Sequence, residues 1–221
     1  MTFSGVCNVI CSIPKTLRFN LHYFPFKTAM RFPVVVSRRT YLRELRGHVV
    51  LPDNPATALV RIGFGDVGHY DRKRSRTIWQ VSGEVHFGGR ASIGHGSKIS
   101  VRGILSMGDG FNITAESTVV CAQSITFGNN CLISWDTLVM DTDEHPIYDM
   151  NQVRINDDKP IIVGNHVWIG CKCMLLKGAE LPDNTVLAAG TLLRTSFSGD
   201  NQIVGGNPAS ILKRDVHWDY C

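Results

Sequence analysis

The sequence contains no apolar run as long as the roughly 18 residues that a membrane-spanning helix needs. Its start, from Met1 to Ile13, lacks the basic, apolar and small-residue order of a secretory signal peptide. The 7 cysteines are an odd number, and their spacing fits neither a disulfide framework nor paired zinc knuckles. These absences predict a protein of the reducing cytoplasm.

What the sequence has instead is a six-residue repeat of apolar residues. Glycine often follows the apolar position, and small side chains dominate four residues after it. The repeat positions are Phe87, Ile93, Ile99, Met107, Ile113, Val119, Phe127, Ile133, Val139, Val163, Ile169, Leu175, Leu181, Leu187 and Leu193. Units of one short strand and one corner close triangular coils, which stack about 4.8 Å apart. The sequence therefore predicts an all-β solenoid, a parallel β-helix whose repeat residues point inward.

The corners of such coils favour residues that tolerate positive φ, above all glycine and asparagine. These residues occur where corners are expected, at 128–130, at Gly164 and Asn165, and at Gly170. We therefore expect positive φ at these positions.

The repeat slips at three places. Steps of eight residues after Ile99 and after Val119 predict two-residue bulges stacked at one corner. The step after Val139 is 24 residues, which is 18 more than the repeat requires. Insertions of this length inside a compact domain are usually functional or disordered. The insertion is therefore the first place to look for a functional site.

The N-terminal residues do not follow the repeat and are rich in cations. Residues 1–80 hold 13 Lys and Arg against 4 Asp and Glu, a net charge of +9, whereas residues 81–221 have a net charge of −5. One interpretation is a basic, aromatic surface that contacts anionic lipid headgroups or a lipid-linked glycan. The other is a segment that packs over the open end of the solenoid, because exposed strand edges must be covered.

The predicted division of the chain follows from where the repeat begins and ends. It comprises an irregular N-terminal segment over residues 1–60 that covers the solenoid end, a solenoid over 61–210 with a protruding loop at 140–160, and a short basic C-terminal tail at 211–221.

Four short motifs follow one another in the second half of the chain. His145-Pro146 lies in the insertion, and Gly164–Gly170 reads Gly-Asn-His-Val-Trp-Ile-Gly. Ala188–Thr191 reads Ala-Ala-Gly-Thr, and Gly206–Ala209 reads Gly-Asn-Pro-Ala ahead of Lys213-Arg214. Together they resemble the hexapeptide-repeat acyltransferases, among them the galactoside, maltose and capsular polysaccharide O-acetyltransferases. The resemblance covers about residues 80–214 and implies a left-handed parallel β-helix.

The resemblance also implies direct transfer of an acetyl group from acetyl-CoA to a sugar hydroxyl, with His145 as the general base. A neutral imidazole accepts a proton readily near pH 7, and a following proline favours an extended backbone. Related enzymes place an asparagine beside the histidine. The matching position here is Thr114, with Asn112 two residues earlier. Asp143 and Glu144 are further candidates to orient the imidazole.

By motif position, six residues line the coenzyme in this resemblance: Trp168, Cys171, Ala189, Arg194, Lys213 and Arg214. The cations suit its phosphates. Trp168 precedes an inward-pointing repeat residue, so by alternation it should face outward. The implied assembly is a homotrimer with the coenzyme between neighbouring solenoids. We expect no metal ion and no nucleic-acid partner.

The acceptor is the least determined part of the prediction. The amino-acid sequence of the insertion, together with the basic N-terminal segment, resembles the sequences of enzymes that acetylate capsule or lipopolysaccharide sugars. We therefore expect a sugar or lipid-linked glycan acceptor, at the inner face of the membrane if the basic segment contacts lipid. Alternatives are transfer to the amine of an amino sugar and a non-catalytic scaffold. A zinc hydratase of the γ-carbonic anhydrase type is disfavoured, because the 8 histidines include no close pair.

Overall fold

The computed structural model describes residues 3–65, 67–70 and 74–220, with side chains from residue 10 onward. Within these residues it has two helices, α1 (Phe3–Tyr23) and α2 (Phe26–Ala29). The strands are β1 (Val34–Val36), β2 (Tyr41–Glu44), β3 (His48–Val50), β4 (Val60–Phe64), β5 (Ile78–Val81), β6 (Glu84–Phe87), β7 (Ala91–His95), β8 (Lys98–Val101), β9 (Ile104–Met107), β10 (Phe111–Ala115), β11 (Thr118–Cys121), β12 (Ser124–Phe127), β13 (Leu132–Ile133), β14 (Leu138–Met140), β15 (Ile161–Val163), β16 (Trp168–Ile169), β17 (Met174–Leu176), β18 (Glu180–Leu181), β19 (Val186–Leu187), β20 (Leu192–Leu193), β21 (Gln202–Gly205) and β22 (Ser210–Arg214).

The strands form three sheets, which are the faces of a triangular solenoid. Face A has the order β1-β4-β7-β10-β13-β16-β19-β21-β22, face B the order β2-β5-β8-β11-β14-β17-β20, and face C the order β3-β6-β9-β12-β15-β18. Neighbours in a sheet are three strands apart through most of the chain, so the chain passes through faces A, B and C in turn. All described pairs are parallel except the last, β21 with β22.

The first coil lies earlier in the chain than the repeat predicted. β1 pairs with β4, β2 with β5, and β3 with β6. The solenoid therefore begins at Val34, and the expected boundary between residues 60 and 61 is wrong. The repeat did not reveal this coil because the connections at 51–59 and 65–77 interrupt the six-residue spacing.

The repeat residues form the core, which confirms the prediction from their spacing. All fifteen side chains are at most 3% exposed. In face A, Ile93, Ile113, Ile133, Ile169 and Leu187 lie in register, each paired with the next. Full burial of a side chain of this size stabilises the fold by about 1.5–3 kcal/mol. The stacked repeat residues are therefore the main apolar contribution to stability.

The corners differ from the expectation at their glycines. Positive φ occurs at Asn130, as expected, and also at Lys172. It does not occur at the other expected positions, which are Gly128, Asn129, Gly164, Asn165 and Gly170. A Cβ on Gly128 would lie 2.7 Å from the carbonyl carbon of Gly164. Glycine is needed there because stacked coils approach closely, and not because the backbone adopts a left-handed conformation.

The part of the N-terminal segment that precedes β1 is helical rather than irregular. Its helix α1 covers the end of the solenoid. Helix α1 lies along β1, the outer strand of face A, and polar side chains one helical turn apart bond to that strand. Asn20 Nδ2 donates to Val34 O at 2.6 Å, and the Val36 N–H donates to Thr16 Oγ1 at 2.9 Å. Ser12 makes a third bond of this kind one turn earlier. Four helical residues rise about 6 Å and two strand residues about 6.6 Å, so the spacings match and the strand edge is satisfied.

Helix α1 spans 21 residues. Within the described part of the chain, neither helix is both long and apolar enough to cross a membrane.

Candidate active site

The long insertion leaves the solenoid at the corner between faces B and C. β14 ends at Met140 and β15 begins at Ile161, so the loop occupies residues 141–160. At the same corner, residues 102–103 connect β8 to β9 and residues 122–123 connect β11 to β12. The two-residue bulges and the insertion therefore occupy one corner of stacked coils.

The root of the loop is fixed by Asp141. This residue is fully buried. Its carboxylate accepts hydrogen bonds from the backbone N–H groups of Ala122, Gln123 and Ser124, at 2.6, 2.9 and 2.7 Å. The donors belong to the short connection in the coil beneath. A buried carboxylate needs such partners, and charge-assisted bonds are the strong ones. They attach the loop to the wall of the solenoid.

The tip of the loop is held from inside by Asn156, which is 9% exposed. Its Nδ2 donates to His145 O at 2.9 Å and to Asp143 Oδ2 at 2.8 Å. Its Oδ1 accepts from the Ile147 N–H at 2.6 Å. Because these bonds fall on both sides of His145, they fix the backbone from which the imidazole projects.

Asp143 joins the loop to the next coil. Lys177, just after β17, donates from Nζ to Asp143 Oδ2 at 2.5 Å and to Asn156 O at 2.9 Å. The hydrogen bonds from Lys177 and Asn156 hold the pKa of Asp143 below its ordinary value. Among the described residues, the Asp143 carboxylate has no bond to the His145 imidazole, so the structure shows it anchoring the loop rather than orienting the ring.

The imidazole of His145 is exposed, and no described residue is hydrogen-bonded to it. The preceding residue, Glu144, has a φ of 61°. Its Oε2 lies 3.1 Å from Nη1 of Arg102, in the connection between β8 and β9. The turn therefore ties Glu144 to the solenoid and leaves the ring free to contact another molecule.

The two other candidates to orient the imidazole lie on a different face. Asn112 and Thr114 belong to β10 of face A, whereas His145 lies beyond the corner between faces B and C. Asn112 lines an outer groove together with Arg61 and Tyr220. The Thr114 hydroxyl is buried without a hydrogen-bond partner among the described residues. A single chain therefore does not bring either residue to the imidazole.

Three of the predicted coenzyme residues lie together, near the corner between faces A and B. Trp168 on β16 faces outward as predicted, is 38% exposed, and donates from Nε1 to Ser134 Oγ at 3.0 Å. Cys171 lies at the following corner, and its carbonyl accepts from the Gly190 N–H at 2.9 Å. Ala189, just before that glycine, is exposed. Adjacent coils thus present Trp168, Cys171 and Ala189 on one side of the solenoid.

The three predicted phosphate-binding cations lie toward the C-terminal end. Arg194 lines a groove of about 380 Å³ together with Asn207. Lys213 and Arg214 are exposed on β22, and Arg214 Nη1 donates to Gln202 Oε1 at 3.5 Å. In the part of the chain that the structure describes, no three His, Cys, Asp or Glu side chains are grouped to hold a metal ion.

Sequence comparison finds relatives among the sugar O-acetyltransferases. A polysialic acid O-acetyltransferase of Escherichia coli O1:K1 / APEC is 31% identical over 124 residues, which are 56% of this chain and 38% of that protein. A polysialic acid O-acetyltransferase of Neisseria meningitidis is 34% identical over 121 residues, 54% of each chain. The galactoside O-acetyltransferase of Escherichia coli K12 is 28% identical over 121 residues, 52% of this chain and 58% of that protein. No model of a known protein family matches the chain.

Comparison of folds finds solved structures with a similar architecture. The polySia specific acetyltransferase NeuO matches with a TM-score of 0.55 and 21% identity, over 86% of this chain and 79% of that one. The polysialic acid O-acetyltransferase OatWY matches with a TM-score of 0.50 and 22% identity, over 82% of this chain and 92% of that one. The fold of this chain is the left-handed parallel β-helix. The chain spans 38–58% of the length of the three curated relatives above.

The residues at the C-terminal end of the described chain pack against face A. The Trp218 ring stacks on His166, with ring centroids 4.4 Å apart and planes at 7°. Trp218 Nε1 donates to His166 O at 2.9 Å. The Trp218 ring centroid is also 5.9 Å from that of Trp168. The C-terminal segment therefore packs beside Trp168, one of the predicted coenzyme residues.

The sequence did not reveal the residues that fix the loop at 141–160. Asp141 gives a weak signal, since it is the first acidic residue after a buried strand. Asn156 and Lys177 give none, because their bonds span 11 and 34 positions and neither residue belongs to the repeat.

Proposed function

We propose that the protein is an acyl-CoA-dependent O-acetyltransferase that moves an acetyl group from acetyl-CoA to a sugar hydroxyl. The observation on which this rests most is an exposed, unpaired imidazole, that of His145, on a loop backbone fixed on both sides by Asn156. Relatives named as O-acetyltransferases of polysialic acid and of galactosides support the reaction class.

His145 acts as the general base. The acceptor hydroxyl loses its proton to a ring nitrogen of His145 while the hydroxyl oxygen bonds to the acetyl carbon. The carbon–sulfur bond of the thioester then breaks, and the proton passes from the ring to the sulfur of the departing thiolate. A positioned base of this kind contributes about 10²–10⁴-fold to the rate. The anchored loop matters because proton transfer requires the ring within hydrogen-bond distance of the hydroxyl.

The transfer is direct, without an acyl-cysteine. Cys173 is fully buried, and burial raises the pKa of its thiol. Burial also raises the pKa of Cys131 to about 11. These thiols stay protonated near neutral pH, which makes them poor nucleophiles. Cys171 is only partly buried, but the mechanism requires no thiol from it.

Acetyl-CoA binds along the side of the solenoid that carries Trp168, Cys171 and Ala189. The corner leaves room for a long, thin molecule, because Ala189 is exposed and a Cβ added at Gly190 would meet no atom within 4 Å. The three cations near the C-terminal end suit its phosphates. When bound, the coenzyme supplies the acetyl group as an activated thioester.

The functional unit is a homotrimer with its active sites between chains. One chain presents His145 at the corner between faces B and C, but Trp168, Cys171 and Ala189 near the corner between faces A and B. A three-fold assembly can place the first corner of one chain against the second corner of its neighbour. Sedimentation of the active protein as three chains would support this arrangement, and a fully active monomer would rule it out.

The acceptor is a sugar of a capsule or lipopolysaccharide precursor. To test this, sugars, nucleotide-linked sugars and lipid-linked glycans would each be incubated with acetyl-CoA while free thiol is measured. We expect thiol release with one class of sugar, with ester-bound acetyl found on the product by mass spectrometry. Amide-bound acetyl would show an N-acyltransferase, and no acceptor-dependent release with any sugar would contradict the proposal.

A further inference from the structure

Helix α1 exposes an apolar row that an ordinary surface helix would bury. The side that faces the solenoid carries Ser12, Thr16, Phe19 and Asn20, all buried. A neighbouring side, about a third of a turn around the helix axis, carries the apolar row, which we call the outer stripe. The outer stripe consists of Ile10, Ile13, Leu17 and Leu21.

The outer stripe is open to solvent. Ile10 is 58% exposed, Ile13 is 52% exposed and Leu21 is 46% exposed, while Leu17 is half-buried. The spacing i, i+3, i+7, i+11 places all of them on one side of the helix. An apolar row of this kind is unfavourable in water, so a cover for it is expected in the working protein.

The short helix α2 and the residue after it also expose apolar side chains. Phe26 is 73% exposed and Met30, just after the helix, is 47% exposed. Exposed cations accompany these apolar side chains, at Arg18 on α1 and at Lys27 and Arg31 in and after α2. No Asp or Glu occurs before residue 44 of the chain. The surface therefore combines exposed apolar groups with positive charge alone.

We propose that α1 and α2 dock the protein on the surface of a lipid bilayer that contains anionic headgroups. An interfacial helix lies in the membrane plane with its apolar side in the acyl boundary, and flanking cations add attraction to anionic lipid. A second copy of this chain is a poorer cover, because two such surfaces would face each other with like charge. The inner side of α1 remains bonded to β1, so docking needs no rearrangement of the solenoid. The inference goes beyond acetyl transfer and does not depend on it.

Vesicle flotation of the whole protein tests the proposal without any assay of activity. Wild-type protein should bind vesicles of phosphatidylcholine mixed with phosphatidylglycerol, bind phosphatidylcholine alone much more weakly, and dissociate as salt rises. Replacing Arg18, Lys27 and Arg31 together by Gln should lower partition into the anionic vesicles by about 100-fold, roughly fivefold for each cation. Ile13→Asn combined with Leu21→Asn should lower it by at least about tenfold.

A matched control separates this surface from exposed apolar residues in general. Met150 and Ile155, in the loop at residues 141–160, are 97% and 62% exposed, and Met150→Asn with Ile155→Asn should leave vesicle binding unchanged. All variants lie at exposed positions, and thermal melts check that each one folds. Equal binding to neutral and anionic vesicles, or no binding of the wild type to either, would overturn the proposal. So would a change of oligomer size in the Ile13/Leu21 variant with no change in vesicle binding, which would show a second copy as the cover.

Discussion

The corner between faces B and C is built in two ways within one chain. After β8 and after β11 it is a connection of two residues, 102–103 and 122–123, but after β14 it is the loop at 141–160. The short connections end where the next strand of face C begins, in register with its neighbours. The loop starts from the same place, and Asp141 bonds it to the connection beneath. The comparison shows that the stacked coils fix the position of this corner, and that the insertion adds the exposed His145 beside it.

The largest expected effect is on the free energy of unfolding, which should depend on the stacked coils of the solenoid far more than on the loop at 141–160. Ile133 is fully buried in the ladder of face A, so Ile133→Ala should lower the free energy of unfolding by about 2–5 kcal/mol. Met150 is 97% exposed in the loop, and Met150→Ala should change it by less than about 0.5 kcal/mol. Urea denaturation of both variants measures the difference. Equal losses would show that the loop is part of the core.

The next effect concerns the attachment of the loop to the wall. Asp141→Ala leaves three backbone donors without their carboxylate and should cost about 3 kcal/mol of unfolding free energy. The control is Asp149→Ala, because Asp149 also accepts backbone N–H groups, but only from Asn151 and Val153 within the loop. Its loss should be much smaller by the same denaturation experiment. If the two variants lose equal stability, the Asp141 bonds are not what joins loop and wall.

A smaller effect should appear in catalysis when the loop tip is loosened. Asn156→Ala should lower kcat about tenfold at little cost in melting temperature, because a displaced base is less well aligned. Asn151→Ala is the control, since its side chain bonds only to Asp149. Normal kcat in Asn156→Ala would show that the tip needs no support.

Lys177→Met provides a readout of this support other than activity. The bond from Lys177 is the main cause of the lowered pKa of Asp143. Because that pKa is lowered in the folded chain, the ionised carboxylate stabilises the loop at neutral pH, and this contribution is lost as pH falls through the lowered pKa. Lys177→Met should raise the pKa of Asp143, so the loss should begin at higher pH. Titration by NMR measures the pKa, and an unchanged value would remove Lys177 from the anchor.

The smallest expected effect concerns the cations at the C-terminal end of the solenoid. Replacing Arg194, Lys213 or Arg214 by Gln should raise the KM for acetyl-CoA about fivefold and change kcat much less, since exposed contacts contribute only about 1 kcal/mol. Dephospho-coenzyme A sharpens the test, because a cation that meets the 3′-phosphate matters little for this analogue. Arg90→Gln is the control, as Arg90 lies near the other end of the solenoid. Equal losses with both donors would assign the residue to supporting the last coil.

The sequence predicts the stacked coils well because the same physical requirement recurs in each of them. Each repeat residue must fill the same interior, so its apolar character returns every six positions and survives even the two-residue bulges. The first coil escaped prediction because the connection at 51–59 separates Val49 from Ile62, and the connection at 65–77 then separates Ile62 from Trp79, although all three are buried in the core. Periodicity detects a coil only where the corners are short.

The cap and the loop anchor escaped prediction for another reason. Helix α1 turns Thr16 and Asn20 toward the solenoid together with Phe19, so an apolar pattern alone does not mark its inner side. Thr16 and Asn20 bond to backbone atoms of β1, and backbone atoms leave no signature in the sequence. Asn156 likewise bonds mostly to backbone groups of the loop. The position of His145 could be predicted, but not the atoms that hold it.

The turnover of His145→Ala tests most directly whether the loop supplies the general base while the stacked coils of the solenoid only hold the loop in position. With the acceptor sugar saturating, kcat should fall by about 10²–10⁴-fold while the KM for acetyl-CoA and the melting temperature stay nearly constant. His86→Ala is the matched control, because His86 is partly exposed on a regular strand of face C and bonds to Glu84. That variant should keep normal turnover. Near wild-type turnover in His145→Ala would contradict the assignment of the general base.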